Sequence, residues 1–146
     1  MCSTVNSFNL LIDPLTIYLD FDGTVVEHAY PQIGAPNPHA LRVLGKLQAA
    51  GHQLILNTYR ADLNDGSLEE AITYLNSATE INAIAEHLPL KVHPPQFDLD
   101  AALSKNELFI DDISEDMPMR PNKTLAYGTM VDWIELERLL INAKIL

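Results

Sequence analysis

Cysteine is almost absent. One residue, Cys2, in a chain of 146 cannot close an internal disulfide and fits a reducing, cytoplasmic setting. It has no base beside it in sequence, so it is a poor nucleophile. Long apolar runs are missing too: nothing approaches the roughly 18 residues of a membrane span. The opening MCSTVNSFNLLIDP has no lysine or arginine, which does not read as a signal peptide; residues 1–13 read as a loose or partly docked arm. Basic residues are scarce, 9 against 20 acidic ones, for a formal net charge of −11. That surface speaks against a nucleic-acid partner, whose backbone is held by Lys and Arg. It also repels phosphate esters, so a phosphate-handling site here needs a cation or a local positive patch. Repeats, low-complexity tracts and linkers are lacking.

What is present is an apolar fraction of 47%, too high for disorder. The chain reads as one domain, 1–146, of a size that buries roughly 68–70% of its unfolded surface without staples. LTIYLD (15–20) is a strand apolar on both faces, as in a sheet buried between helix layers. A Gly- and Pro-rich loop, 21–37, follows. Asn37 and Pro38 predict a helix start, a capping side chain then proline at the first helical position, and Gly51 its end; Leu41, Leu44 and Leu47 share a face. QLILN (53–57) is a second strand. Asp65, Gly66 and Ser67 open a helical stretch reaching about His87. LPLKV (88–92) reads as a third strand, 98–104 as a short helix, ELFI (107–110) as a fourth strand, TLAY (124–127) as a fifth, and 130–144 as a closing helix. Trp133 on it suits the core or an oligomer contact, so a homodimer is equally allowed. Alternating strands and helices predict an α/β, Rossmann-like, three-layer fold with a central parallel sheet of about five strands.

Ligands of such sheets sit beyond the carboxyl ends of the strands. There the sequence places Asp20, Asp22, Gly23 and Thr24 after strand one, Thr58 and Arg60 after strand two, and Asp111 and Asp112, with Asp116 shortly after, following strand four. Mg²⁺ takes oxygen ligands, commonly one or two carboxylates with substrate phosphate; Asp20 and Asp111 suit that. A carboxylate so placed can attack phosphorus, and a second one two residues on can protonate the leaving oxygen and then activate water. Gly23 allows a sharp turn.

DFDGTV (20–25), LILNTYR (54–60) and FIDDISED (109–116) together resemble the haloacid dehalogenase superfamily of phosphohydrolases, over about residues 14–135. The likeness is to small, cap-poor members whose flap resembles VEHAYP (26–31). It implies that Asp20 is nucleophile and magnesium ligand, and that Asp22 is general acid and base, lending its backbone carbonyl to the metal. Thr58 would bond the transferring phosphoryl group, and Asp111 with Asp112 would complete the metal site. Gly23, Thr24 and Arg60 would bind substrate phosphate. The family also places a charge-balancing lysine. Lys105 and Lys91 are the candidates, with Lys123 outside them; related small members place it where this chain has Leu103. In the flap, His28 and Glu27 suit either surface packing or a contact to substrate.

The expected activity is hydrolysis of a small phosphate monoester at an open site, with phosphoryl transfer to another acceptor or a barely active metal- or protein-binding relative as alternatives. A signalling receiver domain also uses Asp, Thr, Lys and an acidic pair, but in the opposite order.

Overall fold

In the computed structural model, which describes residues 12–86, 95–122 and 128–146 together with Pro89, strand β1 (Thr16–Leu19) lies inside a parallel sheet. Strand β2 (Gln53–Leu56) pairs on one side of it and β4 (Glu107–Ile110) on the other, with β3 (Ala85–Glu86) outside β2, giving the order β3-β2-β1-β4. The register aligns Ile17 with Leu54 and Leu108, and Leu19 with Leu56 and Ile110. All six are buried, so alternate residues of three strands make one continuous apolar face. The opposite face carries Tyr18, Ile55 and Phe109 in one row, with the Tyr18 and Phe109 rings stacked at 4.9 Å.

Helix α1 (Ala40–Ala49) buries Ala40, Val43, Leu44 and Leu47, the 3-4 spacing of an amphipathic helix; Leu41 is only partly covered. It ends as expected, with Gly51 at φ +102°. Its start differs from the expectation. The residue before the helix is His39, with no side-chain cap, because Asn37 is drawn elsewhere: its amide donates at 2.8 Å to the carbonyls of both Thr24 and Val131. Helix α2 (Ser67–Ser77) begins where the Asp65 carboxylate accepts from Ser67, and stops ten residues short of His87. Helix α3 (Leu99–Lys105) is capped by Asp98. The last helix, α4 (Trp133–Asn142), is capped by Asp132 and packs on α1, where Glu137 accepts from Arg42 and Lys46 at 2.8–3.0 Å.

Between β4 and α4 the chain forms an antiparallel hairpin of β5 (Met119–Pro121) and β6 (Thr129–Val131). The expected strand at 124–127 lies outside the described residues, as does nearly all of the one at 88–92. Four parallel strands are therefore described rather than five, and the third is the Ala85–Glu86 pair. The architecture is α/β, a parallel sheet with a small antiparallel hairpin. No helix among the described residues is long and apolar enough to cross a membrane.

Candidate active site

The three strand ends named above meet in one cleft of about 390 Å³, lined by Asp20, Asp22, Thr58, Arg60, Asp111 and Asp112, with His28 and several apolar side chains around them. The parallel register dictates this. Leu19 pairs with Ile110 and with Leu56, so the residues that follow each strand leave the sheet at one level.

One oxygen from each of Asp20, Asp111 and Asp112 lies within 4.8 Å of the others. Three carboxylates this close repel one another. Burial, reinforced by Asp111 and Asp112, raises Asp20 well above the ordinary carboxylate range; burial, then the neighbouring Asp112, pushes Asp111 up to about 7. Asp112 goes the other way. Burial pushes it up, but hydrogen bonds from His28 and Asp20 outweigh that and hold it low. His28 Nε2 stands 2.7 Å from Asp112 Oδ2, and this bond lifts the imidazole above its usual value. An all-oxygen, anionic donor set fits a hard divalent cation, which would relieve the repulsion.

Asp20 is oriented by Thr24, whose hydroxyl donates to Asp20 Oδ2 at 3.0 Å. Thr24 is fully buried, and its carbonyl accepts from Asn37 and from Trp133 Nε1, each at 2.8 Å. It therefore fixes the nucleophile candidate rather than reaching substrate, contrary to its expected role. Gly23 is corrected in the same way: its N–H donates to Val26 O and its carbonyl accepts from Val131 N. It has φ +79°, and a Cβ there would collide with His28 Nε2 and Asp112 Oδ2. Glycine is required here because the His28–Asp112 contact passes directly over the backbone.

Arg60 departs furthest from expectation. Only 2% exposed, it gives Nε and Nη2 to the two oxygens of Asp22 at 2.8 Å, Nη2 also to Gln32 O, and Nη1 to Pro31 O and Ser67 O. A guanidinium has five donors, and all five are used. Its Cζ lies over the rings of Phe21 and Tyr30, 5.3 and 5.1 Å from their centroids. Arg60 has no donor left for a substrate phosphate. It clamps the flap to the loop that carries Asp22, and the Asp22 carboxylate stands outside the three-carboxylate cluster.

Thr58 meets the expectation as to place. It lines the cleft, its hydroxyl oxygen accepting from Arg60 N–H at 3.2 Å, with the hydroxyl proton left to donate. Lys105 does not line the cleft. It is the exposed last residue of α3, and the chain reverses at Asn106 (φ +57°) into the amino end of β4, a strand's length from Asp111. It borders a different hollow, with Phe97 and Phe109. Lys91 and Lys123 lie outside the described residues. No lysine among the described residues lines the cleft.

Sequence reasoning missed Tyr30, Tyr59, Leu63 and Ile113, which ring the mouth. The available signal was position: a large apolar residue directly after Thr58 and after Asp112, where a loop is ordinarily polar.

Neither protein-family models nor the curated proteins gave a match. Among solved structures, a conserved protein from Bacteroides thetaiotaomicron is similar, with 30% sequence identity and a TM-score of 0.58 over 90% of this chain and 93% of that one. At that identity and coverage, the chain belongs to the same family as that conserved protein.

Proposed function

We propose that the chain is a magnesium-dependent phosphohydrolase of the haloacid dehalogenase type, with a three-layer Rossmann-like fold, acting on a small phosphate monoester through a phospho-aspartate on Asp20. The observation that carries this reading is the carboxylate cluster of Asp20, Asp111 and Asp112, with Asp20 oriented by Thr24 and Thr58 beside it.

Asp20, Asp111 and Asp112 would hold the cation, which supplies positive charge for the phosphoryl oxygens and for the nucleophile. The Thr24 hydroxyl directs one Asp20 oxygen, leaving the other to attack phosphorus. As the new O–P bond forms, the bond to the leaving oxygen breaks, and that oxygen takes a proton from Asp22. Both Asp22 oxygens accept from Arg60, so Asp22 must release one of these bonds to carry the proton. Thr58 donates to the phosphoryl group throughout. Water then attacks phosphorus, yielding its proton to Asp22, and phosphate departs with Asp20 restored.

The test is Mg²⁺-dependent release of phosphate from p-nitrophenyl phosphate and a panel of phosphorylated metabolites. Activity lost in Asp20→Asn with the fold intact supports the reading; activity that survives Asp20→Asn sinks it. The absence of a cleft lysine among the described residues favours a second reading, a cation-binding domain with little turnover. Cation binding without release of phosphate from any ester would select it.

A further inference from the structure

We propose that the cleft selects phosphate monoesters whose leaving group is an uncharged aromatic ring; this rests on the phosphohydrolase reading and names its substrate class. Six large apolar side chains stand exposed among the described residues, and four of them surround this one mouth: Tyr59 (66% exposed), Ile113 (65%), Tyr30 (44%) and Leu63 (41%). They come from three separate segments: the flap, the turn after β2 and the turn after β4. Scattered exposed apolar residues are ordinary, but a contiguous apolar rim around a polar centre marks a binding surface.

The rim is ordered on at least one side. The Tyr30 ring lies against the Arg60 guanidinium and its hydroxyl donates to Asp65, so it presents a fixed face. Pockets for small ligands combine such apolar walls with a few polar groups that fix orientation. Here the polar groups are the three carboxylates and Thr58 at the floor.

Charge narrows the class. The five donors of Arg60 are spent within the protein, and His28 faces Asp112. A second phosphate or a carboxylate on the leaving group would face the carboxylates of the cleft and, among the described lining residues, no cation but His28, whose charge Asp112 already balances, in a chain of net charge −11. A sugar would set hydroxyls against Ile113 and Leu63 and leave them unpaired. A flat one- or two-ring group loses nothing polar there and gains apolar contact, and with its phosphate it suits a cleft of about 390 Å³.

The experiment uses the full chain with Mg²⁺ and separates recognition from turnover. Calorimetry compares 2-naphthylmethylphosphonate with methylphosphonate, neither of which can be hydrolysed. The aromatic ligand is expected to bind about tenfold or more tightly, as burial of a ring's apolar area implies, and Tyr59→Ser and Ile113→Ser should shrink that ratio toward one. Both side chains are exposed, so thermal scans of these variants should match the parent. In parallel, kcat/KM is measured for 2-naphthylmethyl phosphate and glycerol 3-phosphate, whose leaving groups are both alkoxides. A phosphotyrosine in a blocked, neutral peptide is compared with phenyl phosphate; tighter binding of the peptide assigns the ring to a protein side chain, and equal or weaker binding to a small molecule.

A binding ratio near one, a ratio unchanged in both variants, or no binding of either phosphonate overturns the inference. Hydrolysis without aromatic preference overturns it while leaving the phosphohydrolase reading intact. An aromatic preference in binding without hydrolysis of any ester supports the inference and sinks that reading instead.

Discussion

Arg60 shows how one side chain can hold a cleft together with all its donors spent inside the protein. Its guanidinium lies over two rings and satisfies Asp22, the carbonyls of Pro31 and Gln32 and the carbonyl of the first residue of α2. Burial alone disfavours its charge, but the Asp22 carboxylate outweighs that and keeps the guanidinium above its ordinary value. Removing one partner of a buried ion pair leaves an uncompensated charge and costs about 3–5 kcal/mol. Arg60→Met should therefore lose stability on that scale in urea unfolding, and pairing it with Asp22→Asn should recover part of the loss. A deficit under about 1 kcal/mol in the single variant would show that Arg60 is no clamp. From sequence, Arg60 read as a phosphate ligand because it follows Thr58 at a strand end. Its partners lie 28 and 38 residues away on one side and 7 on the other, and no local pattern announces them. Asp20, Asp22, Thr58, Asp111 and Asp112 were legible for the opposite reason: each stands within three residues of the end of an apolar run, and the parallel register does the rest.

At the scale of elements, β1, β2 and β4 were plain because short apolar runs were bounded by polar residues on both sides. The edge strand was not, since two residues of pairing at Ala85–Glu86 leave too little pattern. Nor was the start of α1, where Asn37 looked like a cap but serves the neighbouring hairpin and the first loop. The family resemblance offered Lys105 as a candidate for the site, whereas α3 delivers it to the amino edge of the sheet. Helices α1 and α4 are joined at their surface by Glu137, whose carboxyl is held at about 2 by the hydrogen bonds from Arg42 and Lys46. Solvent screening limits what such a pair contributes, so Glu137→Gln should cost about 0.5–1 kcal/mol, a loss that shrinks in high salt. An equal loss at low and high salt would indicate that packing rather than charge had been disturbed.

For the molecule as a whole, the carboxylate cluster links folding to pH and to cations. Without a cation, Asp111 holds its proton to about pH 7 and Asp20 is raised as well, whereas both titrate near the usual value of about 4 when unfolded. A raised value in the folded state gives stability that is complete below the unfolded value and is lost as pH rises through the folded one. His28, raised by Asp112, acts in the same direction, and Asp112 in the opposite one at the acid end. The Tm of EDTA-treated protein should therefore fall between pH 5 and pH 8, less so in Asp111→Asn. Mg²⁺ bound at the deprotonated cluster, as proposed above, should raise Tm more at pH 8 than at pH 5. Equal stabilisation at the two pH values would argue that the cation binds elsewhere.

The hydrogen bond from Trp133 Nε1 to the Thr24 carbonyl spans 109 residues, and the one from Asn37 to Val131 spans 94. Both tie the loop behind Asp20 to the hairpin and the last helix. During synthesis the loop emerges early, and its anchors follow only 94 and 109 residues later. A nascent chain can pair β1 with β2 long before then and still lack a fixed Thr24, so the hydroxyl that orients Asp20 is set in place only after Trp133 has emerged.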